Sequence, residues 1–186
     1  MISSKAHKII NPVMKGVIDQ MISLRNVQIT DLDQLLFIEN EGFPIEEAAT
    51  EEAFVERIQF IADTFIMAEK EGEILGYING PVITVPYITD DLFKEIKENP
   101  KRGGYQSILG VAVSKKARNQ GIAKMLIEKM EDLLEENERA GITLTCKEEL
   151  VSFYEKLGFV NHGLSESQHG GVSWYNFVKM REDANK

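Results

Sequence analysis

The sequence predicts an α/β fold (α+β mixed): a mixed, mostly antiparallel, twisted sheet of about seven strands with helices on both faces. Two observations carry this. Short runs alternating apolar and polar residues recur along the chain, the period of half-buried strands, and stretches with apolar residues at three- and four-residue steps lie between them, the period of amphipathic helices. A strand–loop–helix–strand unit occupies the middle, so strands and helices mix along the chain.

Residues 22–29 (ISLRNVQI) alternate and open the domain as a strand. Thr30 precedes Asp31, Leu32 and Asp33, an N-cap with acids in the first turn, and the helix is expected to run to about Asn40. Thr50 with Glu51 and Glu52 starts a second helix in the same way, with Phe54, Ile58 and Ile61 on one face. Residues 65–69 and 74–83 read as strands joined by a hairpin connection at residues 70–73 (KEGE). Residues 86–100 form a loop-like insertion holding a short helix at 90–97. It precedes the central strand and is expected to border an acceptor site.

Residues 107–113 (SILGVAV) are almost continuously apolar, as in a strand covered on both faces. Residues 114–120 are polar and include Lys115, Lys116 and Arg118. From Gly121 the period changes: Ile122, Met125, Leu126, Met130, Leu133 and Leu134 mark an amphipathic helix. Gly141 ends that connection. A strand at 142–146, a helix at 148–156, a strand at 159–164 and a final strand at 172–179 follow, the last entered through a turn at His169, Gly170 and Gly171.

A chain of 186 residues, 43% hydrophobic and 27% charged, suits one globular domain. The domain is expected at 22–181, after a poorly ordered leader (1–21) and before a short tail (182–186). The leader lacks the apolar core of a secretory signal. One cysteine, Cys146, allows no intrachain disulfide. No apolar run reaches the roughly eighteen residues of a membrane span. Thirty acids against twenty-one bases give a net charge of −9, without the basic stripe of a nucleic-acid binder. An acidic surface attracts cationic substrates, or serves solubility alone. The expectation is a cytoplasmic protein, monomer or homodimer, with no nucleic-acid or membrane partner and no metal.

The most informative segment runs from Val111 through Ala112, Val113, Arg118, Asn119, Gln120, Gly121, Ile122 and Ala123 to Lys124. A buried strand enters a polar loop, and the loop enters a helix whose first amides have no internal partner. The helix dipole adds partial positive charge there, so a phosphate would meet several N–H donors at once. The same residues would serve a plain strand-to-helix turn with solvated lysines. The order R-x-x-G-x-A (Arg118, Gly121, Ala123) resembles the pyrophosphate-binding motif of the GNAT acetyltransferases, Q/R-x-x-G-x-G/A, and the preceding VAV strand resembles that family's splayed strand beside the cofactor. A second segment, F-Y-x-x-L-G-F at 153–159, is similar to another hallmark of that family, although periodicity alone would make Tyr154 a core residue. The resemblance covers roughly residues 22–180.

It implies a GNAT-like fold and acetyl-CoA as cosubstrate. It implies direct attack by a neutral amine on the thioester, with the Val111 amide polarising the carbonyl and Tyr154 protonating the departing thiolate. A phenol, with an ordinary pKa of about 10, keeps its proton at neutral pH. Residues 39–49 (ENEGFPIEEAA), with Glu39, Glu41 and Phe43, resemble the microbial arylalkylamine N-acetyltransferase-like group, as does His169-Gly170-Gly171 before Trp174 and Tyr175. The two strand histidines of the animal enzymes are absent: the matching positions are Ser107 and Leu109, and neither is a base. Candidate bases are Glu39, Glu41, His169 and bulk water. Cys146 reads as a small buried residue. The acceptor implied is a primary amine on a small cationic molecule of arylalkylamine or polyamine type. A protein or peptide N-terminus is the alternative, and a non-catalytic acyl-CoA sensor is the alternative of another class.

Overall fold

The structure, a computed structural model, describes residues 22–182; the expected leader and all but the first residue of the expected tail lie outside them. The elements in order are β1 (Ser23–Asn26), α1 (Leu32–Gly42), α2 (Glu51–Phe60), β2 (Phe65–Lys70), β3 (Glu73–Asn79), β4 (Val82–Ile83), β5 (Tyr105–Ile108) and β6 (Gly110–Val113). There follow α3 (Ile122–Glu136), β7 (Gly141–Cys146), α4 (Val151–Lys156), β8 (Val160–Leu164) and β9 (Tyr175–Met180), with short 3-10 turns between.

The mixed, mostly antiparallel arrangement holds, but the strands form two sheets rather than one of about seven strands. One sheet has the order β1-β2-β3-β6 and the other β4-β5-β7-β9-β8. Two segments read as single strands each divide between the sheets. Residues 74–83 break at Gly80 and Pro81. A Cβ at Gly80 would overlap the Ser107 carbonyl, and Pro81 has no N–H to offer a ladder. Residues 107–113 change partner at Leu109: β5 pairs in parallel with β7, whereas β6 pairs antiparallel with β3. The Leu109 amide donates to the Asn79 carbonyl (2.9 Å) and the Ser107 amide to the Pro81 carbonyl (3.1 Å), which pins the branch point. Beyond it, β6 and β7 are not paired, and one edge of β6 is open.

Local signals are realised unevenly. Thr50 caps α2, its hydroxyl accepting from the Ala53 amide at 3.2 Å. Thr30 does not cap α1. It lies inside a 3-10 turn (Ile29–Asp31) that Asp31 closes by accepting from the Gln28 amide at 2.7 Å. The β2–β3 loop is Glu71-Gly72, both at positive φ (53° and 82°), the geometry of a type I′ hairpin. The insertion helix shrinks to a 3-10 turn at Asp90–Phe93, and the helix expected at 148–156 becomes a 3-10 turn (Glu148–Leu150) followed by α4.

Helices cover both faces. In β2, Phe65 and Met67 point to α1 and α2, packing with Leu35, Ile38 and Phe54, while Ile66 and Ala68 point to α3, packing with Ile122, Leu126 and Met130. Strand alternation thus divides the core into two layers. Phe54, Phe65 and Tyr77 cluster with ring centroids 5.6–5.9 Å apart. Full burial of each such ring contributes about 1.5–3 kcal/mol.

Candidate active site

The open edge of β6 is the first feature of the site. The Ser114 amide bonds to the Leu75 carbonyl (2.9 Å), and Ala112 lies opposite Tyr77. Antiparallel ladders bond every second residue, so Ala112 turns its amide to β3 and Val111 and Val113 turn theirs to the open edge. Consistent with that, the Val113 carbonyl accepts from Arg118 Nε at 3.3 Å. The edge runs on toward the start of α3. Gly121, at φ 83°, is the N-cap residue, and no side chain caps the following amides. A Cβ built on Gly121 would meet nothing within 4 Å, so the approach to those amides is clear.

The charge around this loop is less positive than the sequence suggests. Lys116 is ion-paired to Glu73, and Lys124 lies 3.5 Å from Glu128. Glu41 accepts from the Lys115 amide (3.2 Å) and the Ser114 hydroxyl (3.4 Å), which places it at the loop. The Lys115 ammonium and Arg118 form no ion pair among the described residues, and Arg118 Nη2 touches the Glu41 carbonyl at 3.5 Å. The fit to a pyrophosphate therefore rests on the uncapped amides and Arg118 more than on the lysines.

At the branch point lies a cavity of about 260 Å³. Its lining joins Leu109, Gly110 and Val111 to Tyr154, Cys146, Glu39, Phe43, Arg57 and the rim residues Glu47, Phe93, His169 and Trp174. The insertion forms part of the rim. Phe93 stacks on His169, with centroids 4.3 Å apart and planes 4° from parallel, and Asp90 accepts from the Ser167 hydroxyl (2.5 Å) and the Gln168 amide (3.3 Å). Trp174 Nε1 donates to the His169 carbonyl at 2.8 Å, and Lys147 pairs with Glu47 at 2.6 Å while its ammonium sits over the Trp174 ring.

Tyr154 is 4% exposed, packs against Phe159 and Phe177, and has no hydrogen-bond partner for its hydroxyl among the described residues. Burial, with the neighbouring Cys146, pushes the phenol well above its usual range. Burial likewise pushes the Cys146 thiol up to about 11. On the opposite wall Glu39 accepts from the Ala49 amide (2.6 Å) and from the Tyr77 hydroxyl. Burial raises the Glu39 carboxyl above the carboxylate range, and those two hydrogen bonds and the charge of Arg57 oppose the rise without cancelling it.

Glu39, Phe43, Val111, Tyr154 and His169 thus share one cavity. Val113 and residues 118–124 lie along the edge beyond it, and Glu41 stands with them rather than among the cavity residues. Ala112 packs toward α1, with its Cβ 3.6 Å from where a Cβ on Gly42 would sit. Arg57, a cavity residue, escaped the sequence reading, whereas Glu47 and Trp174, also in the lining, stand in the quoted motifs without an assigned role. Arg57 had a signal, because it falls three residues after Phe54 on the buried stripe of α2, where a charge is out of place.

A model of the acetyltransferase (GNAT) family matches residues 29–159. A protein of Sulfurisphaera tokodaii described as an N-alpha-acetyltransferase is 27% identical over 140 residues, covering 73% of this chain and 78% of its own. Among solved structures, the loading GNATL domain of CurA from Lyngbya majuscula superposes with a TM-score of 0.71 at 18% identity, covering 86% of this chain and 97% of that one. Arabidopsis thaliana Naa50 in complex with the bisubstrate analogue CoA-Ac-MVNAL superposes with a TM-score of 0.64 at 18% identity, covering 87% and 99%.

Proposed function

The chain belongs to the acetyltransferase (GNAT) family and is an acetyl-CoA-dependent N-acetyltransferase; from that premise we propose that its acceptor is a small primary amine with an aromatic or apolar body, bound in the cavity beside Tyr154. Acetyl-CoA supplies an activated acetyl group and a thiolate leaving group. Arg118 and the amides of Gly121, Ile122, Ala123 and Lys124 hold its pyrophosphate, with Asn119 and Gln120 shaping the loop. The Val111 and Val113 amides on the open edge receive the pantetheine arm. Val111 N–H polarises the thioester carbonyl and takes up the charge that builds on its oxygen, a contribution of about 3 kcal/mol for one well-placed donor.

Tyr154 gives its proton to the departing sulfur. Its raised affinity for that proton keeps it in the acid form at neutral pH, and the proton passes to the sulfur as negative charge builds there. The new C–N bond forms as the C–S bond breaks. Glu39, held above the ordinary carboxylate range, takes the proton the amine sheds, and cavity water returns one to Tyr154.

The observation that carries the small acceptor is the rim. The insertion packs Phe93 and Asp90 onto the loop before β9, narrowing the approach to a cavity of about 260 Å³ with Phe43, Phe93 and Trp174 in its lining. A second reading, the N-terminal amine of a protein, is favoured by the name of the Sulfurisphaera tokodaii relative. Release of free thiol from acetyl-CoA against arylalkylamines, polyamines and N-terminal peptides separates the two. Turnover confined to small amines with an aromatic or apolar body supports the first; turnover confined to peptides replaces it with the second.

A further inference from the structure

We propose that the acceptor carries a carboxylate beside its amine and that Arg57 reads it, which makes the acceptor class the free aromatic or apolar α-amino acids. This rests on the reading that the cavity holds the acceptor.

Arg57 is 4% exposed and lines the cavity. Among the described residues its guanidinium makes one hydrogen bond, Nη1 to Asn79 Oδ1 at 3.4 Å, beyond the usual range for such bonds, and lies 5.9 Å from the centroid of the Phe54 ring. Its Nε has no partner, and it forms no ion pair. Asn79 Nδ2 is buried without a partner as well. Burial of a cation with unmet donors is costly. Tyr77, Glu39 and Glu56 act on the charge through space, but among the described residues no carboxylate makes a hydrogen bond or ion pair with the guanidinium. A planar fork of five donors matches a carboxylate, which accepts two of them in parallel.

The position of the fork selects the spacing. Asn79 lies opposite Gly110, and Val111 is the next rung of the ladder, about 3.3 Å along the strand. Arg57, through its contact with Asn79, thus stands beside Gly110 and Val111 in the same cavity lining, and a carboxylate one carbon from the amine is the acceptor anion closest to the reacting nitrogen. Gly110 faces the same corner: a Cβ there would sit in ordinary contact with Tyr77 Cε2 (3.6 Å) and Asn79 Nδ2 (3.8 Å). A plain arylalkylamine or a polyamine brings no anion and leaves Arg57 unmet.

The test uses pairs that differ only in the carboxylate: phenylalanine with phenethylamine, and tryptophan with tryptamine. Steady-state kcat/KM is measured for wild type, Arg57→Met and Arg57→Lys. The N-acetylated products are titrated calorimetrically against the same proteins, which reads binding without turnover. Wild type should favour the carboxylate-bearing member by about 100-fold, since a site with unmet buried donors discriminates against a ligand that cannot fill them. The ratio should fall toward one in Arg57→Met and recover in part in Arg57→Lys, and product binding should follow the same order. The inference is overturned when wild type prefers the decarboxylated member, binds neither product, or loses both members equally in Arg57→Met. Thermal melts accompany the kinetics, because replacing a poorly paired buried ion by a long apolar chain is often neutral or stabilising; a lowered Tm with equal loss of both members marks a purely structural Arg57 and also overturns it. Product binding in the predicted order without turnover leaves Arg57 standing and removes the proposed Tyr154 chemistry instead.

Discussion

Tyr154 and Cys146 share the cavity, and burial raises both above their ordinary ranges with different consequences. For the tyrosine, the rise keeps the phenol protonated at neutral pH, the form in which it can donate. For the cysteine, a value of about 11 leaves roughly one thiol in 10⁴ ionised at pH 7, too little for a nucleophile in a covalent route. Alkylation of Cys146 in the native protein should therefore be slow at pH 7 and rise about tenfold per pH unit toward pH 10, as followed by mass spectrometry. A fast, pH-independent reaction would contradict that burial. Gly121 is the other residue whose identity is dictated locally. At φ 83° with open space around it, substitution by Ala strains the backbone without a clash, costing about 1 kcal/mol in a denaturant melt. The same change should weaken acetyl-CoA binding in calorimetry, because it alters the loop that leads into the uncapped amides of α3.

Among the elements, those defined by local chemistry were legible in the sequence. Thr50 marks the start of α2 because its hydroxyl meets a free amide three residues on, and Thr50→Ala should cost about 1 kcal/mol by thermal melt while Thr50→Ser largely preserves stability. The period of α3 was plain because one stripe, Ile122, Leu126, Met130 and Leu134, is buried along its length. The division of residues 107–113 between two sheets was not legible from composition. Both halves are apolar, and the change of partner at Leu109 depends on where β3 and β7 lie, which the strand itself does not encode. Asp31 illustrates the same limit at a helix start: Thr30 reads as the cap, but the Asp31 carboxylate, held by Arg25, takes the Gln28 amide and closes a 3-10 turn instead. The cavity was partly legible for a related reason. Glu39, Phe43, Val111 and Tyr154 stand in motifs, whereas Arg57 becomes a site residue only when α2 packs across β3.

Across the whole molecule, electrostatics link folding and pH. Burial alone would raise the Asp31 carboxyl, but the hydrogen bonds from Arg25 and the Gln28 amide and the charge of Arg25 outweigh it and hold it below the usual range. A depressed folded value means that its contribution is present above the ordinary carboxylate range and is lost as pH falls through the folded value. Asp31→Asn should lower Tm at neutral pH and flatten the acid limb of the Tm–pH profile. A profile identical to wild type would show that the Arg25–Asp31–Glu69 cluster contributes nothing to acid stability. Glu39 has the opposite sign: its raised folded value lowers stability as pH rises from the ordinary range to that value, a cost retained inside the cavity. The architecture behind the site is the parting of two sheets at Leu109, which opens one edge of β6 toward α3 and Tyr154. The measurement that tests this account most directly is thiol release from acetyl-CoA by wild type and Tyr154→Phe with an active amine, paired with calorimetric acetyl-CoA binding to both. The account predicts that kcat falls about 10²–10⁴-fold in Tyr154→Phe while the Kd for acetyl-CoA stays within a few-fold of wild type. An unchanged kcat in the variant would contradict it.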